Sequence, residues 1–185
     1  MLREVIGTVG VLIPVKDLDQ NRKVSSSLVA NRLLLQLSQI KASECGYLLS
    51  VTKLVRIVRA DNEFGSRNII LTVEFRCQTF LPVHGEILTG IVHKINRLGV
   101  FLKSGPMNVV YLSTRLMPDY HYVSGKDPSH TREDSSRIGI GVVVRYVVFA
   151  VRWIEDELKE FRILASIDGD GLGPVSSNGL DGMDF

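Results

Sequence analysis

Residues 86–112, EILTGIVHKINRLGVFLKSGPMNVVYL, decide the fold of the second half of the chain. Short runs rich in β-branched and aromatic residues predict three strands, at 86–95, 98–103 and 107–112. The breaks between these runs, Asn96-Arg97 and Ser104-Gly105-Pro106, are as short as hairpin turns. The stretch therefore predicts the beginning of an all-β domain.

Two more strands are predicted after this stretch, and they complete the same domain. Residues 138–154 and 159–167 are apolar and β-branched, and the acidic turn 155–157 separates them. The connection before them, 113–137, is long and polar. Five strands with one long connection after the third are typical of a Greek-key barrel, whose closure also removes exposed strand edges. The sequence therefore predicts an all-β, five-stranded OB-type barrel.

The first half predicts a different unit, an α+β domain with one helix on an antiparallel sheet. Residues 68–80 alternate strictly between apolar and polar, which indicates a strand with one buried face and one exposed face. Residues 5–13 and 46–58 predict two further strands, and apolar residues at three- and four-residue spacing predict a helix over 22–40. We therefore expect three segments: the α+β domain over 1–82, the barrel over 83–167, and a flexible, glycine-rich tail over 168–185.

The composition limits the classes of function. The chain has 185 residues, of which 45% are hydrophobic and 23% are charged, and its formal net charge is +2. These values indicate a folded protein that has to use a local patch for any contact with nucleic acid. Two cysteines are too few for a disulfide scaffold, which favours a reducing compartment, the cytosol or the nucleus. The apolar run 138–154 contains Arg145 and Arg152, so we expect a strand there and no contact with a membrane.

Motifs that carry enzymatic chemistry are missing from the sequence. There is no glycine-rich phosphate loop, no G-x-S-x-G elbow, and no pair of His or Cys residues at metal-ligand spacing. We therefore predict that the chain is not an enzyme and has no catalytic residue, no metal site, no cofactor and no small-molecule substrate. A hydrolase remains as an alternative, because paired carboxylates cannot be recognised from sequence alone.

Cations and aromatic residues are interleaved along the first three strands of the predicted barrel. The candidate RNA-binding residues are Lys94, Arg97, Phe101, Lys103, Tyr111 and Arg115. Lys and Arg contact phosphates while an exposed ring stacks on a base, which is how OB-type domains hold single-stranded nucleic acid. A purely structural barrel fits the same pattern, because Phe101 lies between Val100 and Leu102 and points inward in that interpretation. The sequence leaves both interpretations open.

Several short motifs, taken in their order and spacing, resemble the seventh-largest subunit of eukaryotic RNA polymerase II. In the second half of the chain they are 85–92, Gly99-Val100-Phe101, Gly105-Pro106-Met107 and Leu116-Met117-Pro118. In the first half they are the helix, Gly46-Tyr47 and Phe80-Leu81-Pro82. A narrower set looks like the plant versions that serve polymerases IV and V, namely 110–113, 117–120, 136–138, 164–167 and 169–174. The resemblance covers nearly the whole chain.

The resemblance implies a non-catalytic, elongated, two-domain subunit of a nuclear DNA-dependent RNA polymerase. The first domain would dock on the polymerase core, and the chain would form a heterodimeric stalk with the fourth subunit. The barrel would lie near the emerging single-stranded RNA. In a plant polymerase IV or V, the transcripts would feed small-RNA-directed DNA methylation and gene silencing.

The docking tip of this family falls on the loop after the first strand and on a neighbouring turn. The residues at these positions are Pro14, Val15, Lys16, Asp17, Asp61, Asn62 and Gly65. The aromatic-Gly stretch that follows the proline in the polymerase II subunit is missing, which leaves the choice among polymerases II, IV and V open. Two other functions remain as alternatives: a purely structural subunit whose barrel binds only protein, and a free-standing OB-fold RNA-binding protein in translation or decay.

Overall fold

The computed structural model describes residues 1–18, 23–40, 42–59, 67–155 and 159–175. The chain divides into two compact units, one covering Leu2–Leu81 and one that begins at Pro82. The elements of the first unit are β1 (Leu2–Pro14), a 3-10 helix (Val15–Asp17), α1 (Ser26–Leu37), β2 (Ala42–Ser43), β3 (Gly46–Arg59) and β4 (Asn68–Phe80).

The elements of the second unit are strands and one 3-10 helix. They are β5 (Ile87–Asn96), β6 (Gly99–Ser104), β7 (Met107–Ser113), a 3-10 helix (Thr114–Leu116), β8 (His121–Val123), β9 (Ser129–Thr131), β10 (Arg137–Ile138), β11 (Val143–Ile154), β12 (Glu160–Ser166) and β13 (Gly173–Pro174). In neither unit does the described part of the chain contain a helix long and apolar enough to cross a membrane.

The first unit packs α1 against a four-stranded antiparallel sheet. The strand order is β1-β4-β3-β2, and β1 pairs with β4 along its whole length, from Leu2 opposite Phe80 to Pro14 opposite Asn68. The apolar faces of β4 and β1 are buried together against α1, as the alternation of β4 predicts. The residues of this core include Val11, Ile13, Val29, Leu33, Ile69, Leu71, Val73, Phe75 and Cys77.

The helix α1 is shorter than the predicted span of 22–40. Ser25 has an extended backbone, and its side-chain oxygen accepts a hydrogen bond from the backbone N–H of Leu28 at 3.2 Å. This N-cap satisfies a donor that the first turn would otherwise leave unpaired, so the helix begins after Ser25 although the apolar spacing starts earlier. The helix ends at Leu37, and Ser38 follows as its C-cap.

Five strands of the second unit pair in a closed cycle. β5 pairs antiparallel with β6 and β11, β6 pairs antiparallel with β7, β7 pairs in parallel with β12, and β12 pairs antiparallel with β11. We call these five strands the closed sheet. Its fully buried side chains include Val100, Leu102, Val110, Leu112, Val144, Tyr146, Val148 and Ala165. Burial among these apolar groups raises the pKa of Tyr146 to about 12.

The predicted strand over 138–154 is wrong in its first part. Residue Ile138 belongs to the separate strand β10, and β11 begins only at Val143. Between them, Gly141 has φ +80 and its N–H donates to the carbonyl of Val92 at 2.8 Å. Only glycine adopts this conformation without strain, so the chain turns here although the apolar run continues.

The long connection 113–137 is more structured than its polar composition predicts. It holds the 3-10 helix Thr114–Leu116 and two strands of a three-stranded antiparallel sheet, β8, β9 and β10. His130 on β9 is fully buried, and its Nε2 lies 3.1 Å from the carbonyl oxygen of Asn96. Strands of two or three residues carry too few positions for an alternating pattern, so the sequence did not indicate this sheet.

The flexible tail predicted over 168–185 begins too early. Strand β13 pairs with β11, with Pro174 opposite Val144, and the N–H of Val175 donates to the carbonyl of Val143 at 2.9 Å. Residues up to 175 therefore belong to the second unit. The rest of the predicted tail, 176–185, lies outside the described residues.

Candidate nucleic-acid interface

Phe101 lies on the outer face of the closed sheet. Its neighbours on β6, Val100 and Leu102, are both 0% exposed and point into the core. Because side chains alternate along a strand, Phe101 and Lys103 point the other way, and Phe101 is half-buried while Lys103 is exposed. The inward orientation of Phe101, which a purely structural barrel suggested, is therefore wrong.

A β-bulge brings two neighbouring side chains of β5 to this outer face. Val92 is opposite Leu102 and Lys94 is opposite Phe101, so the pairing skips one residue between them. His93 and Lys94 are both exposed as a result. An ideal alternation would have turned one of them inward.

Three aromatic rings and an ammonium group meet at Phe101. The Nζ atom of Lys94 lies 5.5 Å from the centroid of the Phe101 ring, which is cation–π range. The ring centroids of Phe101 and Tyr111 are 5.1 Å apart, and those of Phe101 and His93 are 6.5 Å apart. We call His93, Lys94, Phe101 and Tyr111 the ring cluster. It combines stacking surfaces with positive charge at one place on the outer face.

The orientation of Tyr111 is fixed by two close approaches. Its hydroxyl donates to the carbonyl oxygen of Leu98 at 2.8 Å. Its ring lies across Gly99, where a Cβ would come within 2.8 Å of the Tyr111 Cε2 and would overlap the carbonyl oxygen of Leu112. The absence of a side chain at Gly99 therefore makes room for the tyrosine ring.

Lys103, like Lys94, is close enough to His93 to lower the pKa of its imidazole. Partial burial lowers the pKa of His93 below its ordinary value of 6.5, and the positive charges of Lys103 and Lys94 lower it further. Both lysines therefore face one side of the closed sheet. The ring cluster therefore combines the ammonium group of Lys94 with that of Lys103 nearby.

Arg97 and Arg115 lie at one end of the closed sheet. Arg97 is exposed in the turn between β5 and β6, and Arg115 is exposed in the 3-10 helix after β7. The N–H of Thr114 donates to the carbonyl of Leu98 at 3.0 Å, which joins the helix to the turn. Within the described residues neither guanidinium group has an ion-pair partner, and no group of His, Cys, Asp or Glu side chains could hold a metal ion.

The predicted docking loop is held against the sheet edge of the first unit. The N–H of Val15 donates to the carbonyl of Arg67 at 3.0 Å, directly after the pairing of Pro14 with Asn68. The carboxylate of Asp17 pairs with the guanidinium of Arg32 on α1 at 2.6 Å. Lys16 between them is exposed.

Three further docking residues are predicted from the sequence. They are Asp61, Asn62 and Gly65, and they lie outside the described residues.

A groove of about 400 Å³ opens beside the ring cluster, and the sequence did not indicate it. Phe101, Tyr111 and Leu164 contribute to its apolar wall, and Arg152 and Arg162 to its charged part. The two arginines are ten residues apart in the chain, so only the register of β11 and β12 brings them together. We call this feature the arginine groove.

The chain is similar to known polymerase subunits over most of its length. It is 42% identical over 165 residues to DNA-directed RNA polymerase IV subunit 7 of Arabidopsis thaliana, covering 89% of this chain and 94% of that protein. It is 38% identical over 167 residues to DNA-directed RNA polymerase V subunit 7 of the same plant, covering 90% and 93%. The chain belongs to the subunit 7 family of DNA-directed RNA polymerases.

The similarity of this subunit 7 protein extends beyond polymerases IV and V. It is 29% identical over 133 residues to DNA-directed RNA polymerase II subunit RPB7 of Glycine max, covering 71% of this chain and 73% of that protein. No protein-family model matches the chain. The family resemblance predicted from the sequence motifs is therefore confirmed, and the protein is assigned to transcription as a subunit of a DNA-directed RNA polymerase.

Proposed function

We propose that this subunit 7 protein is a non-catalytic subunit that contacts nascent single-stranded RNA through the outer face of an OB-type barrel. The closed cycle of strand pairings supports the OB-type assignment. The proposed RNA contact rests mainly on one observation. The ammonium group of Lys94 lies 5.5 Å from the centroid of the outward-facing ring of Phe101, and Tyr111 lies beside that ring.

Each side chain on this face has a role that suits its chemistry. The cations Lys94, Arg97, Lys103 and Arg115 hold phosphates. Phe101 stacks on a base, which contributes about 1–3 kcal/mol, and the neighbouring ring of Tyr111 packs beside Phe101 on the same face. Every base has a flat face and every phosphate the same charge, so the contact tolerates any sequence. This tolerance suits a polymerase subunit that meets transcripts of many sequences.

Assembly is the role we propose for the first unit. It docks on the polymerase core through the loop Val15–Asp17, which its ion pair with α1 and its hydrogen bond to Arg67 hold in place. The chain pairs with the fourth subunit to form a heterodimeric stalk in the nucleus. The identity to the plant polymerase IV and V relatives, 42% and 38%, exceeds the 29% to the polymerase II relative, which favours a role in small-RNA-directed DNA methylation and silencing.

Binding of labelled single-stranded RNA to the full chain, alone and with the fourth subunit, tests the RNA contact. Phe101→Ala should weaken the affinity by about 5- to 150-fold, which corresponds to the loss of one stacked base. Phe149→Ala is the matched control, because Phe149 is exposed on β11 and does not line the arginine groove. Equal affinity of the two variants, or no binding by the wild type, would contradict the proposal.

A second candidate function of the outer face of the closed sheet is to bind only protein. Ile91, Leu98 and Val109 are exposed apolar residues near the ring cluster, and such residues are common in protein interfaces. This function predicts that Phe101→Ala lowers the yield of large polymerase subunits in a purification through the tagged chain. The RNA proposal predicts an unchanged yield.

A further inference from the structure

The outward side chains of the closed sheet form a row that crosses four strands. Phe101 on β6 is opposite Tyr111 on β7, and Tyr111 is opposite Leu164 on β12. Leu164 is opposite Ala150 on β11. All four line the arginine groove, so the rings of the proposed RNA face continue directly into its apolar wall.

Two arginines form a like-charge pair in this groove. Arg152 on β11 and Arg162 on β12 are direct cross-strand partners, and both are exposed. Like charges directly opposite each other destabilise a strand pair. Neither guanidinium has an ion-pair partner in the described part of the chain, and Glu160 is the only acidic residue of the lining. The arrangement is therefore suited to an anion that bridges the two groups.

The dimensions of the groove match a small organic ligand. Its volume of about 400 Å³ lies within the usual range of ligand pockets, roughly 300–1,000 Å³. The walls are apolar and aromatic, and the charged groups are guanidinium forks, whose planar donors match the oxygens of a phosphate. A flat ring joined to a phosphate satisfies both halves of the lining.

We propose that the arginine groove binds one nucleotide of the single-stranded RNA. The base lies against the rings of Phe101 and Tyr111, and its phosphate lies between Arg152 and Arg162. This inference rests on the proposed RNA contact and extends it, because the strand then crosses the sheet from Lys94 and Lys103, over the rings, to β11 and β12.

Substitution of each arginine tests this path in the full chain. Arg152→Gln and Arg162→Gln should each weaken binding of a single-stranded RNA oligonucleotide by about tenfold and reduce the salt dependence of log K by about 0.7. Arg145→Gln is the matched control, because Arg145 is exposed on the same strand opposite Thr89 and does not line the groove. Equal affinities and salt dependences in all three variants would overturn the proposal.

The outcomes separate the two proposals and the competing ligands. If Phe101→Ala weakens RNA binding and the arginine variants behave like Arg145→Gln, the groove proposal fails while the RNA contact stands. If the wild type binds no RNA, both fail. Adenosine monophosphate that displaces the labelled oligonucleotide as tightly as the unlabelled oligonucleotide does would assign the groove to a free nucleotide. Weakened association of the arginine variants with the fourth subunit, without a change in RNA affinity, would assign it to protein.

Discussion

The second unit contains two cation–π pairs with nearly the same geometry and different surroundings. Lys94 lies 5.5 Å from the ring of Phe101, and Arg132 lies 5.3 Å from the ring of Tyr120. Tyr120 is only 7% exposed, its hydroxyl lies 2.7 Å from the side-chain oxygen of Ser136, and Arg132 also pairs with an aspartate. Phe101 is half-buried on an outer face, and its cation is exposed.

The difference between these pairs is whether the protein itself satisfies the interacting groups. Around Tyr120, the hydroxyl and the guanidinium both have internal partners, so the pair stabilises the connection between β7 and β11. Around Phe101, ring surface and positive charge remain available to a ligand. Residue types alone therefore do not separate a candidate binding site from a structural contact.

The sharpest test of this comparison is truncation of each ring. Tyr120→Ala removes a buried aromatic side chain and should cost about 3–5 kcal/mol of unfolding free energy. Phe101→Ala removes a half-exposed ring and should cost about 1 kcal/mol. Urea unfolding of both variants measures the two values. Similar losses of stability would remove the distinction between the two aromatic pairs.

The second-largest effect is expected at the glycine under Tyr111. Gly99→Ala places a Cβ against the carbonyl of Leu112 and the tyrosine ring, which should cost about 2–3 kcal/mol, since backbone cannot move aside easily. Gly105→Ala is the control, because it has φ +54 but open space around it and should cost only about 1 kcal/mol. Thermal unfolding of both variants checks the order, and a reversed order would contradict the close packing of Tyr111 against Gly99.

A smaller effect should appear in the pH dependence of stability. Burial lowers the pKa of His130 below the ordinary 6.5, although its hydrogen bond to Asn96 partly opposes this. The unfolded chain then binds the proton more readily than the folded chain, so the stabilisation is complete above pH 6.5 and is lost as the pH falls towards the folded-state pKa.

Melting temperatures at about pH 7.5 and 5.5 measure this loss. His130→Gln should flatten the acid-induced decrease even if it lowers stability at both pH values. His93→Gln should flatten it less, because His93 is exposed on the outer face. An acid-induced decrease that is the same in His130→Gln and in the wild type would contradict the burial of a neutral imidazole.

The sequence predicts most of the long elements because long elements repeat their pattern. The alternation of β4 identified both its bounds and its buried face, and the strands β5, β6, β7 and β12 begin and end within one residue of prediction. The short strands β8, β9 and β10 have no repeat to detect. Ser25 starts the helix through its capping hydroxyl, and Gly141 turns the chain through its positive φ. Both effects come from single residues, which periodicity does not register.

Only part of the candidate site could be predicted from the sequence. Cations next to aromatic residues indicated Lys94 and Phe101, but the bulge that exposes His93 together with Lys94 depends on the register with β6. The pairing of Arg152 with Arg162 depends on the register of β11 and β12 in the same way. Cross-strand neighbours are set by tertiary packing, so a single sequence does not reveal them.

The salt dependence of RNA affinity tests the central claim most directly. In the full chain, log K for a single-stranded RNA should fall linearly with log salt, and the double substitution Lys94→Gln with Lys103→Gln should make that slope shallower by about 1.4, or about 0.7 for each lost phosphate contact. A wild-type affinity that does not change with salt, or a slope that the double substitution leaves unchanged, would contradict the account.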